Sequence, residues 1–360
     1  MPRLSINGRF LAQPVTGVQR YAMEIIRAAE ELAAEGRWPD SEIVVPQMPP
    51  EALAARTLPV TMTGRLSGHP WEQAELAFRA RGDVLLSLGN TAPILRRRQV
   101  VVIHDAGAFD TPASYSAAFR TWYKTMHRLL ARTGAQIATV SEFSRGRLAD
   151  RLGIAAERVA VVREGADHMA RIAPEPAVLA RHGLQRQRFA IAVGSRAEHK
   201  NLKSLAGVAR LLRERGMVLA VAGAIDPAVF RTGADATDFP ILELGRVSDG
   251  ELRALYEAAL CLMFPSRYEG YGLPPVEAQY CGCPVIAAGG NAVEEICGSA
   301  ALVYPAGDPS GAERSLTALL DTDGLAAELG ARGKALAGAL TWRDAASDLA
   351  RLVDEVAAGR

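Results

Sequence analysis

None of the 360 residues falls in an apolar run approaching the roughly 20 that a helix needs to cross a bilayer, and the opening MPRLSINGRF has no signal-peptide core. No membrane-spanning helix is expected, and the expected location is the cytoplasm. Cysteine is scarce: Cys261, Cys281, Cys283 and Cys297 all lie in the second half, and their spacing fits no two-pair zinc pattern. They read as small buried apolar residues. No Gly-x-Gly-x-x-Gly follows a strand pattern, which argues against a nicotinamide enzyme. A formal net charge of +1 gives no general nucleic-acid footprint. The sole Asp-x-Asp, Asp321-Thr-Asp323, sits between two helical patterns rather than after a strand, so it reads as a turn and N-cap instead of a metal site.

What is present is an ordinary globular composition, 49% hydrophobic and 22% charged, in a chain long enough for two cores. Short β-rich runs alternate with amphipathic stretches. The first half has LSIN, EIVVP, VLLSL, VVVIHD, QIATV and VAVV; the second has FAIAVG, MVLAVAG, ILELG, CLMFPS, PVIAAG and ALVYP. This alternation predicts an α/β protein of two doubly wound parallel sheets, which bind ligands beyond the carboxyl ends of their strands. The expected domains are residues 1–172 and 186–341, joined by a polar, proline-containing stretch.

Residues 264–290, FPSRYEGYGLPPVEAQYCGCPVIAAGG, are the most informative. Gly270 and Gly272 allow a ligand to approach the main chain, and Pro274 and Pro275 suit a helix start. The expected helix runs from Pro275 to about Cys281, with Gly282 as its stop and Glu277 in its first turn. Its free N-terminal amides would suit a phosphate.

The segment Glu269-GYGLPPV-Glu277 resembles the retaining glycosyltransferases of family 4, whose fold is GT-B: two Rossmann-like domains facing each other across a cleft. The resemblance implies that Glu269 contacts hydroxyls of the donor sugar and that Glu277 holds the ribose of its nucleotide. It places Gly270, Tyr271, Gly272 and Leu273 at the donor. VGSRAEHKNLKSL is similar to the family's diphosphate-binding stretch and implies that role for Lys200. His199 and Ser195 stand where the family usually has arginines, with Arg196 next to the latter. Main-chain groups near Val247 would meet the base edge, and Gly17, in the loop Gln13–Arg20, would let the main chain approach the diphosphate. His104, at the end of VVVIHD, would approach the donor sugar. The segments TVSEFSR and VVREGADH extend the resemblance, and a last helix over about 342–357 would pack back on the first, acceptor-side domain.

Catalysis would then involve His104, Lys200 and Glu269, with a nucleotide-diphosphate sugar as donor and with neither cofactor nor metal. INGRFLAQPVTGVQRYA and WEQAEL look most like bacterial polysaccharide members of the family, many of them mannosyltransferases. GDP-mannose is the favoured donor and UDP-glucose the next, with a glycan or polyprenyl-linked saccharide as acceptor. A non-catalytic nucleotide-sugar binder and a glycoside hydrolase are the alternatives. Between Arg96 and Arg132, seven basic residues face two acidic ones, and YSAAFRTWYKTMHRLLAR interleaves aromatics with them. Such a helix suits either an anionic membrane surface or a core-facing stripe with a solvated basic side.

Overall fold

The computed structural model describes residues 3–46, 57–80, 82–194, 197–223 and 241–359. The chain forms two compact domains, residues 1–165 with 341–360, and residues 166–340.

In the first domain the elements are β1 (Leu4–Asn7), α1 (Gly17–Ala34), β2 (Ser41–Val45), β3 (Val60–Met62), β4 (Val84–Ser87), β5 (Gln99–Val102), α2 (Ala117–Arg132), β6 (Gln136–Thr139), α3 (Glu142–Leu152) and β7 (Val159–Val161). The seven strands form one parallel sheet in the order β3-β2-β1-β4-β5-β6-β7. Burial on both faces explains why β4 and β5 read as nearly continuous apolar runs, while β1 and β2 are equally buried but carry Ser5, Asn7, Ser41 and Glu42. β3 is a three-residue edge strand with two exposed positions. α1 presents Tyr21, Ile25, Ile26 and Leu32 to the core on one helical face.

In the second domain come α4 (His168–Arg171), β8 (Phe189–Val193), α5 (Ala206–Glu214), β9 (Val218–Ala222), β10 (Ile241–Gly245), α6 (Asp249–Ala258), β11 (Cys261–Phe264), α7 (Leu273–Tyr280), β12 (Val285–Ala288), α8 (Ala292–Cys297), β13 (Ala301–Tyr304), α9 (Gly311–Asp321) and α10 (Leu325–Gly338). Its six strands are parallel in the order β10-β9-β8-β11-β12-β13. One apolar cluster, including Phe189, Ile191, Leu262 and Phe264, covers one face of this sheet; Ala190, Leu219, Met263 and Ile286 lie in a cluster on the other. The chain passes between domains at residues 165 and 166 rather than within 172–186, because Met169 and Val178 already pack into the second core.

A final helix, α11 (Trp342–Ala357), belongs to the first domain and packs along α1. Trp342 meets Tyr21 edge-on at 5.7 Å, and Arg343 forms an ion pair with Glu35 that lowers the carboxyl's pKa.

In each sheet the connections reverse direction at one point, between β1 and β4 in the first and between β8 and β11 in the second. In open α/β sheets that reversal opens a crevice beyond the carboxyl ends of the two strands, where ligands bind.

Candidate active site

The turns after β8 and β11 bring together residues far apart in sequence. Past β8, Glu198–Lys200 forms a short 3-10 turn that ends at Asn201 in the left-handed conformation, φ 52°. The Arg267 N–H, on the turn after β11, donates to the His199 carbonyl at 2.8 Å and ties the two turns together. Across this junction Lys200 Nζ lies 2.7 Å from Glu269 Oε1, and it also stands 5.6 Å from the centre of the Phe264 ring. Both side chains keep some exposure, so a charged ligand can reach them. Arg196, the other basic residue expected here, lies outside the described residues, as does Ser195.

The glycine turn follows. Gly270 and Tyr271 are buried, and Gly272 has φ 104°, a backbone state costly for other residues. A Cβ at Gly272 would stand 2.7 Å from Val293 Cγ2. α7 begins at Leu273, not Pro275, and ends at Tyr280. The earlier start is physically reasonable: the first helical N–H groups lack helical partners, so Pro274 and Pro275 cost nothing at its second and third positions. Glu277 consequently occupies the second turn, correcting its expected place in the first.

Glu277 is buried, and its Oε1 accepts from His168 Nε2 at 3.1 Å. Tyr256 lies beside it; burial, reinforced by the Glu277 carboxylate, raises the tyrosine's pKa well above its ordinary value. Nothing in the sequence assigns a role to His168 or Tyr256. VVREGADH ends on His168, but nothing local indicates a partner 109 residues away. Val247 is half-buried and immediately precedes Ser248, which caps α6 reciprocally with Glu251.

In the first domain Gly17 is the first residue of α1 rather than part of a loop. Thr16 caps the helix, its N–H donating to Gln19 Oε1 at 3.2 Å. A Cβ on Gly17 would meet nothing within 4 Å, so this helix end is open. His104 follows β5 and is buried. Its Nε2 donates to the Leu88 carbonyl at 3.0 Å, its Nδ1 lies 3.4 Å from Glu164 Oε1, and its ring meets Tyr21 edge-on. Both ring nitrogens are thus engaged within their own domain.

Asp321 ends α9 and pairs with Arg215 at 2.9 Å. Among the described residues no cluster of three or more His, Cys, Asp or Glu could hold a metal ion. The four cysteines are free; burial pushes the Cys261, Cys281 and Cys297 thiols up to about 12. Among the described residues no helix is long and apolar enough to cross a membrane.

Residues 178–336 match the family model of glycosyl transferases group 1. O-antigen chain mannosyltransferase B of Escherichia coli is 28% identical, the alignment covering 92% of this chain and 94% of the relative. O-antigen chain mannosyltransferase RfbU of Salmonella typhimurium is 24% identical, covering 78% and 80%. The crystal structure of HepE from Anabaena, in complex with UDP and glucose, superposes with a TM-score of 0.73 at 16% identity, over 98% of this chain and 99% of that one. This likeness gives the same two-domain α/β fold.

Proposed function

We propose, from the premise that this chain is a glycosyltransferase of GT-B fold with a group 1 domain over residues 178–336, that it transfers mannose from GDP-mannose, with UDP-glucose the next candidate donor, to a glycan or lipid-linked oligosaccharide in polysaccharide assembly. The proposal includes family 4 membership, retention of anomeric configuration and action at the cytoplasmic face of the membrane. The observation that carries it is the Lys200–Glu269 pair at the β8/β11 reversal, inside the matched region. The names of the two bacterial relatives support mannose and the polysaccharide setting.

In this reading the Lys200 ammonium turns from Glu269 to the donor diphosphate and stabilises charge developing on the leaving group. Glu269, released, accepts hydrogen bonds from the sugar hydroxyls. Glu277, oriented by His168, accepts from the ribose hydroxyls. The turn Gly270–Leu273 and Val247 supply main-chain contacts, and Arg196 adds positive charge; neither cofactor nor metal takes part. Gly17 is assigned to donor binding through its main chain. For His104 to act on the donor sugar, its ring must give up one of its partners.

Thermal unfolding with GDP, UDP, dTDP and NAD tests the donor assignment, because a ligand at 100 times its dissociation constant adds about 2.7 kcal/mol. Stabilisation by GDP alone supports GDP-mannose, and stabilisation by UDP moves the donor to a UDP sugar. No response to any nucleoside diphosphate refutes nucleotide-sugar binding, and an inverted anomeric centre in the first product, by NMR, refutes family 4.

A further inference from the structure

The reversal point of the first sheet also carries a built constellation. Asn7 ends β1, Arg9 follows it, Ser87 ends β4, and Thr91 lies just beyond. All four are buried, and Asn7, Arg9 and Thr91 converge on Glu72, whose side chain is 0% exposed. Glu72 Oε1 accepts from Asn7 Nδ2 at 2.7 Å and Thr91 Oγ1 at 2.8 Å, with Arg9 Nε 3.3 Å away. Glu72 sits in a π-helical turn, Trp71–Leu76, a wide form of helix found disproportionately at functional sites.

Its second oxygen is different. Glu72 Oε2 lies 3.5 Å from His69 Nδ1, and neither atom makes a well-formed hydrogen bond among the described residues. The Trp122 indole Nε1 is likewise buried without a partner. His69 is 34% exposed, and its ring meets Trp122 at 5.5 Å and Tyr123 at 5.9 Å, edge to face. Tyr123 stacks on Phe119 and Phe119 on Tyr115, extending an aromatic wall along α2.

We propose that His69, oriented by Glu72 and flanked by Trp122 and Tyr123, forms a saccharide subsite in the first domain, where His69 Nε2 accepts a hydrogen bond from a hydroxyl of the acceptor glycan. The proposal rests on the transferase reading above and assigns residues to its acceptor. A carboxylate beside Nδ1 favours the proton on that nitrogen, which leaves Nε2 of the 34% exposed side chain to act as the acceptor. The aromatic side chains that flank His69 offer apolar surface to a sugar's C–H groups, while Nε2 takes its hydroxyl. Glu72 is a positioning residue: it reaches no ligand itself.

The test titrates the full-length protein with methyl α-mannopyranoside and methyl N-acetyl-β-glucosaminide by NMR, and with GDP and UDP separately. Wild type is expected to bind at least one glycoside, and His69→Asn to weaken it about tenfold, the scale of one lost hydrogen bond. His69→Gln should largely retain binding, since its carboxamide oxygen can take the place of Nε2 whereas that of Asn replaces only Nδ1. In Glu72→Gln the donors around Oε1 hold the amide oxygen and turn the NH2 to His69, converting Nε2 into a donor; binding should again fall about tenfold. Nucleotide affinity should not change in any variant. The proposal is overturned if neither glycoside binds, if His69→Asn and His69→Gln bind alike, or if glycoside loss merely accompanies loss of nucleotide binding and of melting temperature. Absence of nucleotide binding with His69-dependent glycoside binding would instead refute the transferase reading alone.

Discussion

His168 Nε2 donates to Glu277 Oε1 at 3.1 Å, with both side chains buried inside the second domain. Replacing His168 with Leu removes that donor from a buried carboxylate, at a cost of about 1–3 kcal/mol. For a domain of this size, the melting temperature should fall by roughly 2–4 °C per kcal/mol. Calorimetry of His168→Leu reads this directly, and an unchanged melting temperature would show that the pair contributes no stability.

Lys200 offers a separate kinetic test. Lys200→Ala should lower kcat/KM for transfer by about 10²–10³, the scale of removing one donor that stabilises a developing charge. Lys200→Arg keeps the charge and should lose less. Radiolabelled sugar transfer is the assay, and equal activity of all three proteins would exclude Lys200 from the chemistry.

Two glycines should respond oppositely. Gly272→Ala places a Cβ against Val293 at a left-handed backbone position and should cost about 1–3 kcal/mol, read from the urea midpoint. Gly17→Ala meets open space and should change stability by no more than about 0.5 kcal/mol. If its main chain meets the diphosphate, the same variant should bind nucleotide sugar more weakly.

His127 gives a pH dependence. Its Nε2 donates to the Asn90 carbonyl at 2.8 Å, and burial lowers its pKa from 6.5 to about 4. The unfolded chain therefore binds a proton near pH 6.5 that the folded chain refuses until about pH 4. The neutral histidine's contribution is fully present above pH 6.5 and is lost as pH falls toward 4, to a total of roughly 3 kcal/mol. His127→Gln removes this titration, so the wild type should lose more stability than the variant between pH 7 and 4.5 in urea unfolding.

On α2, Lys124 and Arg128 each lie 5.5 Å from the Phe109 ring. Basic side chains lying against an aromatic still project positive charge. Reversing Arg120, Lys124 and Arg128 to Glu should abolish sedimentation with vesicles rich in anionic lipid. Sedimentation unchanged by the triple variant would remove α2 from membrane contact.

Much of this architecture could be read from local pattern. Buried parallel strands often announce themselves as apolar runs, and Leu86 and Val101 lie where such runs stand. β3 is not legible in the sequence because Val60–Met62 is only three residues long and mostly exposed. The two prolines alone place the start of α7 two residues late, because proline is tolerated anywhere in the first turn; what sets the boundary is the backbone of Gly272. The pairs Lys200–Glu269, His168–Glu277 and Arg9–Glu72 join segments 63 to 109 residues apart. Each depends on which strand ends lie side by side, information carried by topology rather than by local spacing.

The return of α11 to the first domain imposes an order on synthesis. A chain leaving the ribosome can complete the second domain as soon as Leu340 has emerged, but until Trp342 and the residues after it follow, the Tyr21 side of the first domain stays uncovered. The domain translated first is therefore the last to close, and its apolar flank is open to chaperones, or to other nascent chains, while every residue of the second domain is made.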